Sequence, residues 1–432
     1  TSTRPPHPPH PAPCPYRTPE PFSIPRFGRQ HSSEAGQRHY LIGLRGTDLR
    51  EFRYTGYAQE IIFGQGSIAR LGEAVEGFSW RKLMLCTTSS QRRNGAIALV
   101  ESALGERLVV TYEHVQPHVP DFQVAEAVEL ALERKVDALI GLGGGSAVGM
   151  AKAVSFALEE RRAGKPAKAS FPTEQPLAPV IAIPTTYAGS EMTPIYGITH
   201  HTNETTRKVT VTDVKVAPKL VVYDPLLTLQ LPPALTASTG VNALAHCIEA
   251  LYSITRHPLS TAAASAGVRA IVNALPRCFA QGDDVEARTE MLMGAYLAGT
   301  ALATVTMGLH HGLCHALGGS AGVPHGIANG IVLPHAMRFN LDATAPQLLP
   351  VAEAMGIPLA GRNVEEAVGE AIEAIYAMIG QMKLPQHLRD VGVEERDLAR
   401  LAQVALQSVA VRNNPKPIIE AAQIESVLRA AW

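Results

Sequence analysis

The chain has 432 residues, 46% of them apolar and 18% charged, and a formal net charge of −1. That length exceeds one ordinary core and predicts two domains. The near-zero charge leaves no electrostatic footprint for nucleic acid, which is excluded as a partner. Five cysteines (Cys14, Cys86, Cys247, Cys278, Cys314) are scattered without a CxxC pair, which reads as reduced thiols in a cytoplasmic protein. Met291 to Leu309 carries no charge over about the length a bilayer needs. Its Gly, Ala and Thr content fits a helix buried on all sides better than a membrane span, and no signal peptide opens the chain.

Residues 1–50 are dense in proline with few aliphatics and read as a disordered extension. Globular texture follows. Short apolar runs at 61–63, 82–87, 108–112, 137–142, 179–183 and 220–223 predict strands. Helical patterns at 67–75, 121–134 and after 146 alternate with them. That alternation predicts an open, mainly parallel, Rossmann-like α/β domain over 51–230. After Pro233 the strand signals stop. Helical patterns at 235–253, 258–274, 284–309, 327–338, 364–380 and 394–410 predict an all-α domain over 231–432. A ligand is expected in the cleft between the two.

Two loops point to a dinucleotide. Gly143-Gly144-Gly145-Ser146 follows a predicted strand and opens a helix, where close backbone approach and helix amides favour a phosphate. The motif lacks the last glycine of GxGxxG, so a plain tight turn is the competing reading. Thr185, Thr186 and Ser190 follow the next strand, where ligands of open α/β sheets collect. Together they predict NADH or NADPH. After Cys86 come Thr87, Thr88 and Ser89 with no acidic residue, which suggests tolerance of a 2′-phosphate.

Histidines dominate the stretch from Met307 to His325: His310, His311, His315 and His325. His311 and His315 share a helix face, as do Asn242 and His246. His246, His311 and His325 could ligate zinc or iron, but Asn242 is a poor ligand where a carboxylate would complete the set. Glu249 could substitute for it or sit in an ion pair. Without metal, Asn242, His246, His311, His315 and His325 could hold an acidic substrate, stabilise an oxyanion and deliver a proton. Arg256, Lys383 and Arg412 are available cations for such a substrate, with surface solvation the plainer role.

The segments GGGSAVGMAKA, IPTTYAGSEMTP, YDP, GVNALAHCIEALYS and GLHHGLCHALGG, with VPHGIANGIVLPH, resemble the iron-containing (group III) alcohol dehydrogenase superfamily. Within it the similarity is greatest to maleylacetate reductases, carried by Tyr187–Pro194, Asn242–His246, His310-His311, Cys314-His315, His118-Val119-Pro120 and Asn414-Pro415. The resemblance covers about 52–432. It implies the dehydroquinate synthase-like two-domain fold and a homodimer. It further implies NAD(P)H-dependent reduction of the carbon–carbon double bond of maleylacetate, a small dicarboxylate, to 3-oxoadipate in aromatic-compound catabolism. It places Tyr187 and His310 as substrate-binding. Metal-dependent relatives have Asp at 242 and ligands matching His246, His311 and His325, whereas the reductases are regarded as working without metal, so no metal is favoured here. Gly312 departs from the reductases' usual lysine, and Gly326–Gly330 looks more like the alcohol dehydrogenases. A metal-dependent alcohol dehydrogenase and a non-catalytic NAD(P)-binding protein are the other readings.

Overall fold

The computed structural model describes residues 52, 54–57, 59–163, 176–201 and 206–432. The proline-rich extension over 1–50 lies outside the described residues. Six strands form one parallel sheet: β1 (Glu60–Phe63), β2 (Leu83–Cys86), β3 (Leu108–Tyr112), β4 (Ala138–Gly143), β5 (Val180–Pro184) and, after the hairpin described below, β8 (Leu220–Tyr223). Their order is β1-β8-β5-β4-β2-β3, and every pairing is parallel. Continuous apolar runs such as Leu83-Met84-Leu85-Cys86 are buried along their whole length, as strands covered on both faces require.

The covering helices are α1 (Leu71–Gly77), α2 (Ser89–Arg93), α3 (Ala96–Leu104), α4 (Asp121–Glu133) and α5 (Gly145–Ala163). Residues of α1 and α3 pack on one face with Leu83, Leu85 and Ile140. Residues of α4 and α5 pack on the other with Met84, Leu139 and Val180. Gly143 pairs with Pro184 in register, so the loops leaving β4 and β5 start side by side at the C-terminal edge. A second, two-stranded antiparallel sheet joins β6 (Ile195–His201) to β7 (Thr206–Thr212). Sequence reading missed this hairpin, although Lys208-Val209-Thr210-Val211-Thr212 alternates as a half-buried strand does.

From Pro233 the chain is helical: α6 (Pro233–Tyr252), α7 (Pro258–Ala280), α8 (Val285–Leu302), α9 (Leu309–Ser320), α10 (His325–Thr344), α11 (Leu349–Ala354), α12 (Val364–Gln381), α13 (Leu398–Leu406), α14 (Val409–Arg412) and α15 (Ala421–Ala430). The helix expected over 284–309 ends at Leu302, and a separate helix starts at Leu309. Thr304, Val305 and Thr306 are β-branched, and Gly308 has no side chain; both classes weaken a helix interior. The gap frees the N-terminus of α9 to begin at the histidine doublet. The helix expected over 394–410 also breaks, and Ser408 caps the new start by accepting from the Ala410 amide. Among the described residues no helix is long and apolar enough to cross a membrane. The four described cysteines are buried free thiols.

Candidate active site

The first wall of the site is the loop pair at the sheet edge. Gly143 sits at φ 138°, a conformation side chains rarely adopt. A methyl on Gly141 would come 2.7 Å from Val148 Cα, so the strand and α5 touch only because that residue is glycine. Gly144 and Ser146 are partly accessible and Gly145 exposed, leaving the N-terminal amides of a 19-residue helix open to an anion. The Thr185 amide donates to Gly143 O at 3.1 Å, tying the loops together. Thr185 itself is buried, its hydroxyl accepting from Gln91 Nε2 at 3.3 Å, so it braces the loop while Thr186 and Ser190 remain accessible.

Beneath the second loop lies a residue sequence reading passed over. Lys152 of α5 is fully buried. Its ammonium donates to the carbonyls of Ser190, Thr193 and Ile195 at 2.5, 2.8 and 3.0 Å. Burial pushes Lys152 down to about 7, with Glu191 pulling the other way. Glu191 is also buried and accepts from Tyr223 Oη at 3.0 Å; burial raises its carboxyl. A lone lysine in the apolar run AVGMAKAV was the available signal.

The second wall is helical. Asn242, His246 and Glu249 lie on one stripe of α6, four and three residues apart, and all are buried. His311 stacks on His246 with ring centroids 4.8 Å apart. His325, the first residue of α10, lies 6.0 Å from His311 and 5.8 Å from His315. His315 is exposed and His325 half-buried. The structure therefore brings Asn242, His246, His311, His315 and His325 into one cluster, graded from dry to wet. The two walls meet at the second loop: Asn242 Nδ2 donates to Ala188 O at 3.4 Å. Gly189, at φ 77°, has room for only 3.5 Å between a methyl and His246 Nδ1.

Glu249 is the residue that orders the dry end. Its Oε1 accepts from the Gly308 amide at 3.0 Å, and its Oε2 from the His311 amide at 3.3 Å and from His311 Nδ1. Burial alone would raise this carboxyl, but His311 and His310 hold it well below the usual range. His310 is drawn up, against burial, by the Cys314 sulfur and the Glu249 carboxylate. Its Nε2 donates to Asn329 O at 3.3 Å. Burial, then the neighbouring imidazoles, keeps His246 well below its ordinary value, and burial lowers His311. The carboxylate thus faces both His311 and His310, while burial disfavours the charged form of His246 and His311.

Two residues expected to contact substrate are fully buried. Tyr187 is fully buried and its hydroxyl accepts from Arg288 Nη1 at 3.0 Å; the ring packs in the helical core. His310 is fully buried among His311, Cys314 and Asn329. Both shape the site from behind. Gly312 acquires a reason: a methyl there would stand 2.5 Å from Val411 Cγ2, so α14, ending in the exposed Arg412, can rest against α9.

Glu249, His310 and His311 bring ligand-type atoms within 4.8 Å of one another, but the Glu249 oxygens are occupied by amides and by His311. Among the described residues, the buried side-chain atoms without a partner include Asn242 Oδ1, His246 Nδ1 and His311 Nε2 of this cluster. Three imidazoles, His246, His311 and His325, have the chemistry to hold zinc or iron. No carboxylate among them is left to balance the ion's charge.

A glycine loop whose helix amides are open to an anion, together with a wall of buried imidazoles, fits an NAD(P)-dependent oxidoreductase, the class to which the relatives assign the chain. The chain belongs to the iron-containing alcohol dehydrogenase family: residues 58–225 match the profile "Iron-containing alcohol dehydrogenase" and residues 236–432 match "Fe-containing alcohol dehydrogenase family, C-terminal". Its relatives include maleylacetate reductase 1 of Cupriavidus pinatubonensis, 33% identical over 89% of this chain and 98% of that one. A solved maleylacetate reductase from Agrobacterium tumefaciens superposes with a TM-score of 0.76 at 33% identity, covering 89% and 99% of the two chains. A solved 1,3-propanediol oxidoreductase superposes at 0.81 with 30% identity, covering 89% and 100%.

Proposed function

We propose that the chain reduces the carbon–carbon double bond of maleylacetate to 3-oxoadipate, using NADH or NADPH and no metal ion. The observation that carries the metal-independent part is Asn242. It stands one turn before His246 on α6, where an ion would want a carboxylate, and the Glu249 oxygens already accept from the Gly308 and His311 amides and from His311 Nδ1. Relatives named maleylacetate reductase support the substrate.

The bound reduced nicotinamide supplies hydride to the alkene carbon. What this chain has to do is stabilise the resulting enolate oxygen and place a proton on carbon. An enolate is a milder demand than an alkoxide, and hydrogen-bond donors can meet it. Asn242 Nδ2 and the neutral His246 are the dry donors at the loop junction. His315, exposed on the rim in ring contact with His311 and His325, delivers the proton and recovers it from water. Should an ion bind, His246, His311 and His325 would hold it, and it would supply Lewis-acid polarisation of a carbonyl.

Purified protein analysed for metal and assayed by NADH and NADPH oxidation with maleylacetate tests the reading. Turnover that survives chelation, with substoichiometric metal, is the expected result. Stoichiometric iron or zinc with chelator-sensitive alcohol oxidation sinks it, as does cofactor binding without turnover of either substrate class.

A further inference from the structure

We propose that Glu249 is a positioning residue that fixes the tautomer of His311 and, through the same carboxylate, the start of α9. The inference rests on the reading that His311 faces the substrate. Glu249 accepts a backbone amide on each oxygen, as a carboxylate does, so the ring nitrogen against it carries the hydrogen. His311 is therefore the Nδ1–H tautomer. Its Nε2, buried and without a partner, presents a lone pair. His311 accordingly accepts a hydrogen bond, for instance from a water, and cannot itself be the acid, which leaves proton delivery to another histidine.

The second half of the proposal is mechanical. The amides at the head of a helix lack intrahelical partners. Here Glu249 takes those of Gly308 and His311, and Asn414 Oδ1 takes that of Leu309 at 3.1 Å. A methyl on Gly308 would stand 3.0 Å from Asn414 Oδ1 and 3.1 Å from Glu249 Oε1, so glycine is needed where the two acceptors converge. Ring orientation and helix position are set by one side chain. A carboxylate behind a working imidazole is a general device for fixing tautomer and direction.

Glu249→Gln keeps one cap and reverses the contact to the ring. Its amide oxygen still accepts from Gly308, the His311 amide loses its acceptor, and its NH2 donates to Nδ1 and moves the proton to Nε2. In 15N-histidine-labelled protein, the wild type is expected to show His311 protonated at Nδ1, and Glu249→Gln at Nε2. Turnover is expected to fall about 10–100-fold with KM for NADH within about twofold, and Glu249→Asp to recover part of it. Wild-type His311 protonated at Nε2 overturns the proposal, as does unchanged turnover in Glu249→Gln alongside an inactive His311→Ala. If wild-type protein fails to reduce maleylacetate, the functional reading falls, and the tautomer measurement still decides the role of Glu249.

Discussion

Asn242→Asp is expected to trade reductase turnover for metal affinity. Asn242 is 5% exposed and its Oδ1 has no partner, so a carboxylate there would be a buried, uncompensated charge. Such a charge costs several kcal/mol unless neutralised, and burial disfavours charge on His246 and His311 beside it. Metal-free variant protein should therefore lose about 3 kcal/mol of stability near neutral pH. Iron(II) or zinc should restore it: an ion at about 1,000 times its Kd returns about 4 kcal/mol. Loss of the amide donor should lower maleylacetate turnover by on the order of 10²-fold. Thermal unfolding with and without metal and chelator, with parallel assays, checks both halves. An equal Tm in all conditions would show that residue 242 does not govern ion binding.

Lys152→Met is expected to be the most damaging change outside the histidine wall. Three carbonyls would lose their donor, and a buried acceptor left unsatisfied costs about 1–3 kcal/mol. With partial rearrangement the loss should be roughly 2–4 kcal/mol, read as a lower midpoint in urea. The second loop, no longer held to α5, should bind NADH more weakly; a tenfold rise in KM corresponds to about 1.4 kcal/mol. The pH dependence has a definite sign. Lys152 has its folded pKa pushed down to about 7 from 10.5. Between those values the unfolded chain holds more protons, so this group's contribution to stability rises with pH. Over the same range the clamp loses a donor, so KM for NADH should climb from pH 6 to 8.5 without matching destabilisation. Glu191, raised by burial, has the opposite sign, its contribution being lost as pH rises through its folded value. A KM profile unchanged by Lys152→Met would remove Lys152 from cofactor positioning.

The parallel sheet was legible because its buried strands are unbroken apolar runs bounded by turns. The glycine loop was legible because its residues serve one local geometry. The five clustered polar residues could be named from helical spacing at two places in the chain. What spacing could not give was partnership. Glu249 had two roles open until fold placed it 62 residues from its ring partner His311. Tyr187 sits inside a motif rich in site residues, yet a buried arginine 101 positions away claims its hydroxyl. Lys152 looked like an ordinary helix residue because nothing local reveals that three carbonyls of another loop surround it. The hairpin β6–β7 and the break between α8 and α9 were written in local β-branched patterns that longer-range periodicity had overshadowed.

The head of α9 also bears on how the protein comes into being. Its amides are closed by Glu249, 59 residues before Gly308, and by Asn414, 105 residues after Leu309. Closing contacts so distant along the chain is slow compared with winding the helices themselves. The parallel sheet and the individual helices can thus form while the histidine wall is still out of register. Competence for catalysis is consequently one of the last properties a refolding chain acquires, later than its helical content and its compactness.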